Sequence, residues 1–142
     1  MLALLLLLEI AFAHQAYRID DTDTIKLASM ERVELISSYD PNIEEAWVVG
    51  NLPSEKITTE EGRFSRRRRS ETEEGITEQF FTFISGGGAE GDVLAVEFWF
   101  IKPHYAEMYF NDPDAYAEMH GGMPKIKIIE FHIKASDKTQ DL

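Results

Sequence analysis

Between positions 104 and 123 the chain gathers two imidazoles and three thioethers: His104, Met108, Met119, His120 and Met123. Soft sulfur and nitrogen donors of this kind suit copper(I), and a cysteine-free set would suit copper handling in an oxidising compartment. Ordinary packing competes with that reading. Met108 falls with Tyr105 and Tyr109 at helical spacing, as a core stripe would, and Met119 lies where a helix is expected to end. A second candidate is Glu97, the one charge among the nine residues of Val93–Ile101. It shares a strand face with Val93, Ala95, Trp99 and Ile101. A buried carboxylate beside an indole could hold an organic cation by charge and by the ring quadrupole. The plainer alternative is a glutamate on a solvated face, with Trp99 partly covered by a helix. On the opposite face Leu94, Val96, Phe98 and Phe100, with Phe81 and Phe83, would line an apolar pocket suited to a lipid-like ligand. Trp47 joins Glu97, Trp99, Phe81, Phe83, Phe98 and Phe100 as a candidate ligand contact.

Catalysis has no comparable foothold. No serine, histidine and acid share a catalytic spacing, and the Gly86-Gly87-Gly88-Ala89-Glu90-Gly91 stretch lacks the lysine and following helix of a phosphate-cradling loop. The pairs Glu44-Glu45 and Glu73-Glu74 read as solvated loop carboxylates. The expectation is a chain that is not an enzyme and needs no cofactor.

These residues must be positioned by strands. Residues 76–85 and 93–101 are rich in Phe, Val, Ile, Thr and Trp, as a pleated surface favours, and the four glycines of the seven residues between them supply turn conformations. A β-hairpin is expected, with both faces of its second strand covered. Arg32–Tyr39 alternates, with Val33, Leu35 and Tyr39 on one face, and then breaks at Asp40-Pro41-Asn42. Residues 46–50 form another strand and 56–60 a short third. Upstream, Asp20-Asp21-Thr22-Asp23 offers a helix cap, so a short helix or lead-in is expected near residues 24–30. Asp112, Pro113 and Gly121 punctuate a short helix over Pro113–His120. In Lys125–Lys134 the apolar phase shifts between Ile128 and Ile129, which predicts a bulge or burial on both faces.

Composition narrows the partners. A chain of 142 residues, 44% hydrophobic, fits one domain with a real core. Fourteen basic against 26 acidic residues leave a net charge of −12, which repels phosphate backbones and argues against nucleic acid. Residues 1–13 combine a seven-residue leucine-rich run with Ala11-Phe12-Ala13. This reads as a secretory signal peptide, too short to span a bilayer, that would leave a single β-rich domain over 14–142, secreted and free of the membrane. A buried N-terminal helix is the alternative. Cleavage there would expose His14, whose amine and imidazole can chelate together. Arg66-Arg67-Arg68-Arg69 sits among glutamates and reads as a solvated loop or edge strand, a basic processing site, or a patch for anionic polymers.

Two stretches resemble a known family. Met30-Glu31-Arg32-Val33-Glu34-Leu35-Ile36-Ser37-Ser38-Tyr39-Asp40-Pro41 is similar to the first strand and turn, and Ala46-Trp47-Val48-Val49 to the second strand, of calycin or lipocalin proteins of the arthropod salivary type. The resemblance implies a mainly β chain with a short late helix, built as an antiparallel barrel or strongly curved sheet. A cystatin-like or nuclear-transport-factor-like α+β sheet is the structural alternative. The function expected is a secreted, non-enzymatic binder of a small apolar or amine ligand. A copper-binding protein of the extracellular space or periplasm, and a processed secreted factor acting through contacts with a protein partner, are the two alternatives.

Overall fold

The computed structural model describes residues 15–40, 42–53, 56–59, 68–71, 77–86 and 90–135. Residues 1–14, Arg66, Arg67 and the centre of the glycine loop lie outside them. The strands are β1 (Gln15–Arg18), β2 (Thr24–Ala28), β3 (Arg32–Tyr39), β4 (Ala46–Asn51), β5 (Ile57–Thr59), β6 (Arg68–Glu71), β7 (Thr77–Ser85), β8 (Val93–Ile101) and β9 (Lys125–Lys134). Two helices, α1 (Ala106–Asn111) and α2 (Pro113–His120), follow β8 after a 3-10 turn at Pro103–Tyr105.

The strands form two sheets. One runs β1-β3-β7-β5, with β6 also pairing β7, and the other runs β2-β9-β8-β4. The chain is therefore mainly β with short late helices, and the described strands close no barrel. Consecutive strands change sheet at every step from β1 to β5 and again from β7 to β8, and the N-terminal segment contributes one strand to each layer. β1 lies parallel to β3 and β2 parallel to β9. This is the strand order of an immunoglobulin-like sandwich with a divided first strand. The barrel, the curved single sheet and the cystatin-like alternative give way to it.

Between the layers lies the main core. Alternation directs Val33 and Leu35 of β3, Phe81 and Phe83 of β7, Leu94, Val96 and Phe98 of β8, and Ile129, Phe131 and Ile133 of β9 into one cluster. Phe98 meets Phe81 and Phe83 edge-on at ring separations of 6.0 and 5.8 Å, across the two sheets. Burial of each such ring stabilises the fold by roughly 1.5–3 kcal/mol.

The expected hairpin is overturned by this arrangement. β7 and β8 belong to different sheets. Both runs do pack together, but face to face through their phenylalanines rather than edge to edge through hydrogen bonds. The residues expected to start a helix near position 24 instead form β2, because Ile25 and Leu27 alternate into the core and β9 supplies a pairing edge. The predicted bulge near Ile128 is also absent: β8 and β9 pair without a register break from Val93↔His132 to Phe100↔Lys125. Ile126 and Ile128 simply face outward, both exposed. Helix α2 matches its punctuation. Asp112 accepts a hydrogen bond from the Ala115 amide at 3.1 Å, and Gly121 closes the helix at φ 75°.

Candidate interaction surface at one end of the sandwich

Strand directions bring several connections to the same end of the molecule. Tyr39, the last residue of β3, pairs with Thr77, the first of β7, and Ala46, the first of β4, pairs with Ile101, the last of β8. The 40–45 connection, the Pro103–Tyr105 turn, both helices and the start of β9 therefore cluster there. In immunoglobulin-like sandwiches such loop ends are where variable binding surfaces are built on a rigid frame.

The 40–45 connection is braced from within. The Asn42 amide donates to the Asp40 carboxylate at 2.9 Å, and the Ile43 amide donates to the Asp40 carbonyl at 3.2 Å. This turn displays Ile43, 42% exposed, at its crest. Lys102 ties the connection to the end of β8 through a 2.9 Å ion pair with Glu44. Hydrogen bonding and the charge of Lys102 hold the Glu44 carboxyl below the usual carboxylate range, and Glu44 in turn raises the Lys102 ammonium.

A second, smaller core holds the helices beside this turn. Trp99 and Ile101 on the outer face of β8, with Val48 of β4, pack against Ala106, Tyr109 and Tyr116. The Trp99 indole meets Tyr109 edge-on at 4.6 Å, and Tyr109 meets Tyr116 at 5.3 Å. Gly50 makes this possible, because a β-carbon at that position would overlap the indole ring. Burial raises the Tyr109 and Tyr116 phenols above their ordinary range, assisted by the charges of Glu97 and Glu45 respectively. Between α2 and the 40–45 connection opens a cleft of about 420 Å³, lined by Glu45, Lys102, Tyr116, His120 and residues 121–123.

The candidate ligand contacts are distributed differently from expectation. Phe81, Phe83 and Phe98 are fully buried and touch one another, and Trp47 is buried between Phe100, at 5.4 Å, and the Lys125 ammonium, 5.6 Å from the ring. Trp99 lies on the outer face beneath α1. Glu97 is half-buried on that face, where Asn51 donates to it at 3.4 Å. The one-charge pattern of β8 arises because its inner face meets the opposite sheet while its outer face is covered by helix only at Trp99 and Ile101. Among the copper candidates, His104 and His120 each contact the Tyr105 ring, at 4.3 and 4.5 Å. Met119 and Met123 are exposed, and Met108 sits half-buried in α1. Among the described residues no group of three or more histidine, cysteine or acidic side chains is arranged to hold a metal ion. Sequence reasoning placed the 40–45 residues in a solvated turn and missed their role in building this end; the adjacent Asp40-Pro41-Asn42 break and Lys102-Pro103 were the available signals.

No protein-family model matches the chain, and no curated protein matches it in sequence. Solved structures do match in fold. A cysteine protease inhibitor from Entamoeba histolytica superposes with a TM-score of 0.53 at 10% identity, covering 86% of this chain and 99% of that one. Amebosin gives a TM-score of 0.53 at 13% identity over 86% of this chain and 99% of its own. The likeness is to a sandwich of this kind and not to a lipocalin, so the calycin resemblance is corrected. The expectation of a small-ligand carrier falls with it, since the space where a barrel would hold a ligand is occupied by the phenylalanine core.

Proposed function

We propose that this chain is a protein-binding β-sandwich that inhibits a cysteine peptidase through the end formed by the 40–45 connection, the Pro103–Tyr105 turn and the helices. The observation that carries the reading is the braced turn presenting Ile43, tied to β8 by Glu44 and Lys102. An exposed aliphatic side chain on a preorganised turn loses little entropy on entering a partner's groove, which is the physical requirement for an inhibitor built from loops. The fold neighbour that is a cysteine protease inhibitor supplies the partner class. An inhibitor needs no catalytic groups of its own, in keeping with a chain that is not an enzyme. Secretion, as residues 1–13 suggest, would place it with extracellular or lysosomal peptidases.

The test is an inhibition assay on a panel of papain-type peptidases, with purified full-length or signal-processed chain. Reversible competitive inhibition of at least one member is expected. Ile43→Ser should weaken it roughly tenfold, the loss expected for an exposed aliphatic side chain that becomes buried on binding. Absence of inhibition across the panel, or inhibition indifferent to Ile43 and to Pro103→Gly alike, would overturn the reading.

A further inference from the structure

The cleft beside the braced turn has a chemistry of its own. Glu44 and Glu45 outnumber Lys102, and Lys102 is committed to Glu44 at 2.9 Å. Among the described residues Glu45 makes no ion pair, and it lines the cleft together with Tyr116, whose hydroxyl ionisation its charge opposes. His120 stacks on Tyr116 with ring centroids 4.2 Å apart and planes 20° from parallel. Its Nδ1 lies 3.0 Å from the Tyr116 carbonyl oxygen. A carbonyl only accepts, so Nδ1 carries the proton of the neutral ring and Nε2 is left as an acceptor. The cleft also lies at the C-terminal end of α2, the negative end of the helix. A carboxylate, an imidazole acceptor and the helix terminus all favour a cation rich in N–H donors.

We infer that this cleft receives a basic side chain, arginine above all, presented by the protein that the braced turn engages. The inference rests on the reading of this end as a protein-binding surface and adds a charged anchor to its apolar crest. A guanidinium fits better than an ammonium because its planar fork of N–H donors can reach both the Glu45 carboxylate and His120 Nε2. Lys102 competes as a resident cation, so its removal should strengthen binding while removal of Glu45 weakens it.

The probe is acetyl-Gly-Arg-Gly-amide, titrated into ¹⁵N-labelled protein, with the citrulline peptide as the neutral isostere. Shifts are expected at the amides of Glu45, Gly121 and Gly122, with the citrulline peptide and the Glu45→Gln variant each roughly tenfold weaker. Lys102→Met should bind the arginine peptide more tightly than wild type, a gain that damage to the fold would not produce. Equal binding of the citrulline peptide, shifts confined to other amides, or no shift by about 10 mM peptide, where even millimolar affinity would register, would overturn the proposal. The peptide titration judges the cleft whether or not any peptidase is inhibited, so the two readings fail separately.

Discussion

A glycine and an ion pair govern how firmly the helical end is held, the one by its size and the other by its charge. Gly50 is adjacent to the register break between β4 and β8 and leaves room for the Trp99 indole against the strand backbone. Gly50→Ala should displace the indole and destabilise the fold by about 1–3 kcal/mol, the usual range for overpacking a filled core. Urea titration followed by tryptophan fluorescence will show this as a lower midpoint and an altered native spectrum; an unchanged midpoint would mean that the indole has another place to go. The Glu44–Lys102 pair is exposed, so its effect is on local order rather than global stability. Because the Glu44 carboxyl is depressed, its contribution is full above the ordinary carboxylate range and lost as pH falls through the depressed value. The raised Lys102 contributes below its ordinary ammonium value and loses its contribution only as pH rises through the raised one. Carbon-detected NMR should find Glu44 titrating at lower pH in wild type than in Lys102→Met; coincident curves would show that the pair does not form in solution.

At the scale of elements, short-range signals were legible and pairing was not. Asp112, Pro113 and Gly121 fix α2 because capping chemistry is decided within a few residues. Alternation fixes β3, because a single face of it meets the core, whereas in β9 the exposed Ile126 and Ile128 imitate a phase shift that the pairing does not contain. The same alternation in residues 76–85 and 93–101 could not distinguish a hairpin from two facing strands of different sheets, since both arrangements bury the phenylalanines. What decides between them is the partner edge: β7 finds β3 and β8 finds β9, both distant in sequence. Phe98→Ala tests the face-to-face arrangement, since it removes the ring that bridges the layers, and should destabilise the chain by about 3–5 kcal/mol. The helices depend on a different contact set. Tyr109 and Tyr116 have raised phenol ionisation, so the neutral form is the one that the folded state prefers. That stabilisation is complete below the ordinary phenol value and is lost as pH rises through the raised values. Ultraviolet titration of the five tyrosines should show these two ionising last, with helical ellipticity falling in the same step while β signals persist. Simultaneous loss of both signals would mean that helices and sandwich form one cooperative unit.

For the molecule as a whole, the sequence was informative about charge and β content and silent about which end matters. The candidate site was only partly legible: His120, Met123 and the Glu44-Glu45 pair were noticed separately, for metal binding and for solvated carboxylates. Their proximity depends on β3, β4, β8 and β9 delivering distant residues to one end, which no local pattern records. Net charge then acts on the assembled surface. At −12, with Glu44, Glu45, Glu97 and Glu107 near the helical end, the chain should be drawn toward partners carrying a cationic rim. Long-range attraction of this kind acts on the encounter and is screened within a Debye length of about 8 Å at physiological salt. In the proposed complex the apolar contact is Ile43 of the 40–45 turn, which would act after docking. Stopped-flow measurement with a cationic peptidase from the panel should therefore find association slowing roughly tenfold from low to high salt, with dissociation nearly constant. Ile43→Ser should reverse the pattern by speeding dissociation while leaving the salt dependence of association intact. If salt acted mainly on dissociation, the ion pairs would lie inside the interface and the division between a steering charge and an apolar crest would be wrong.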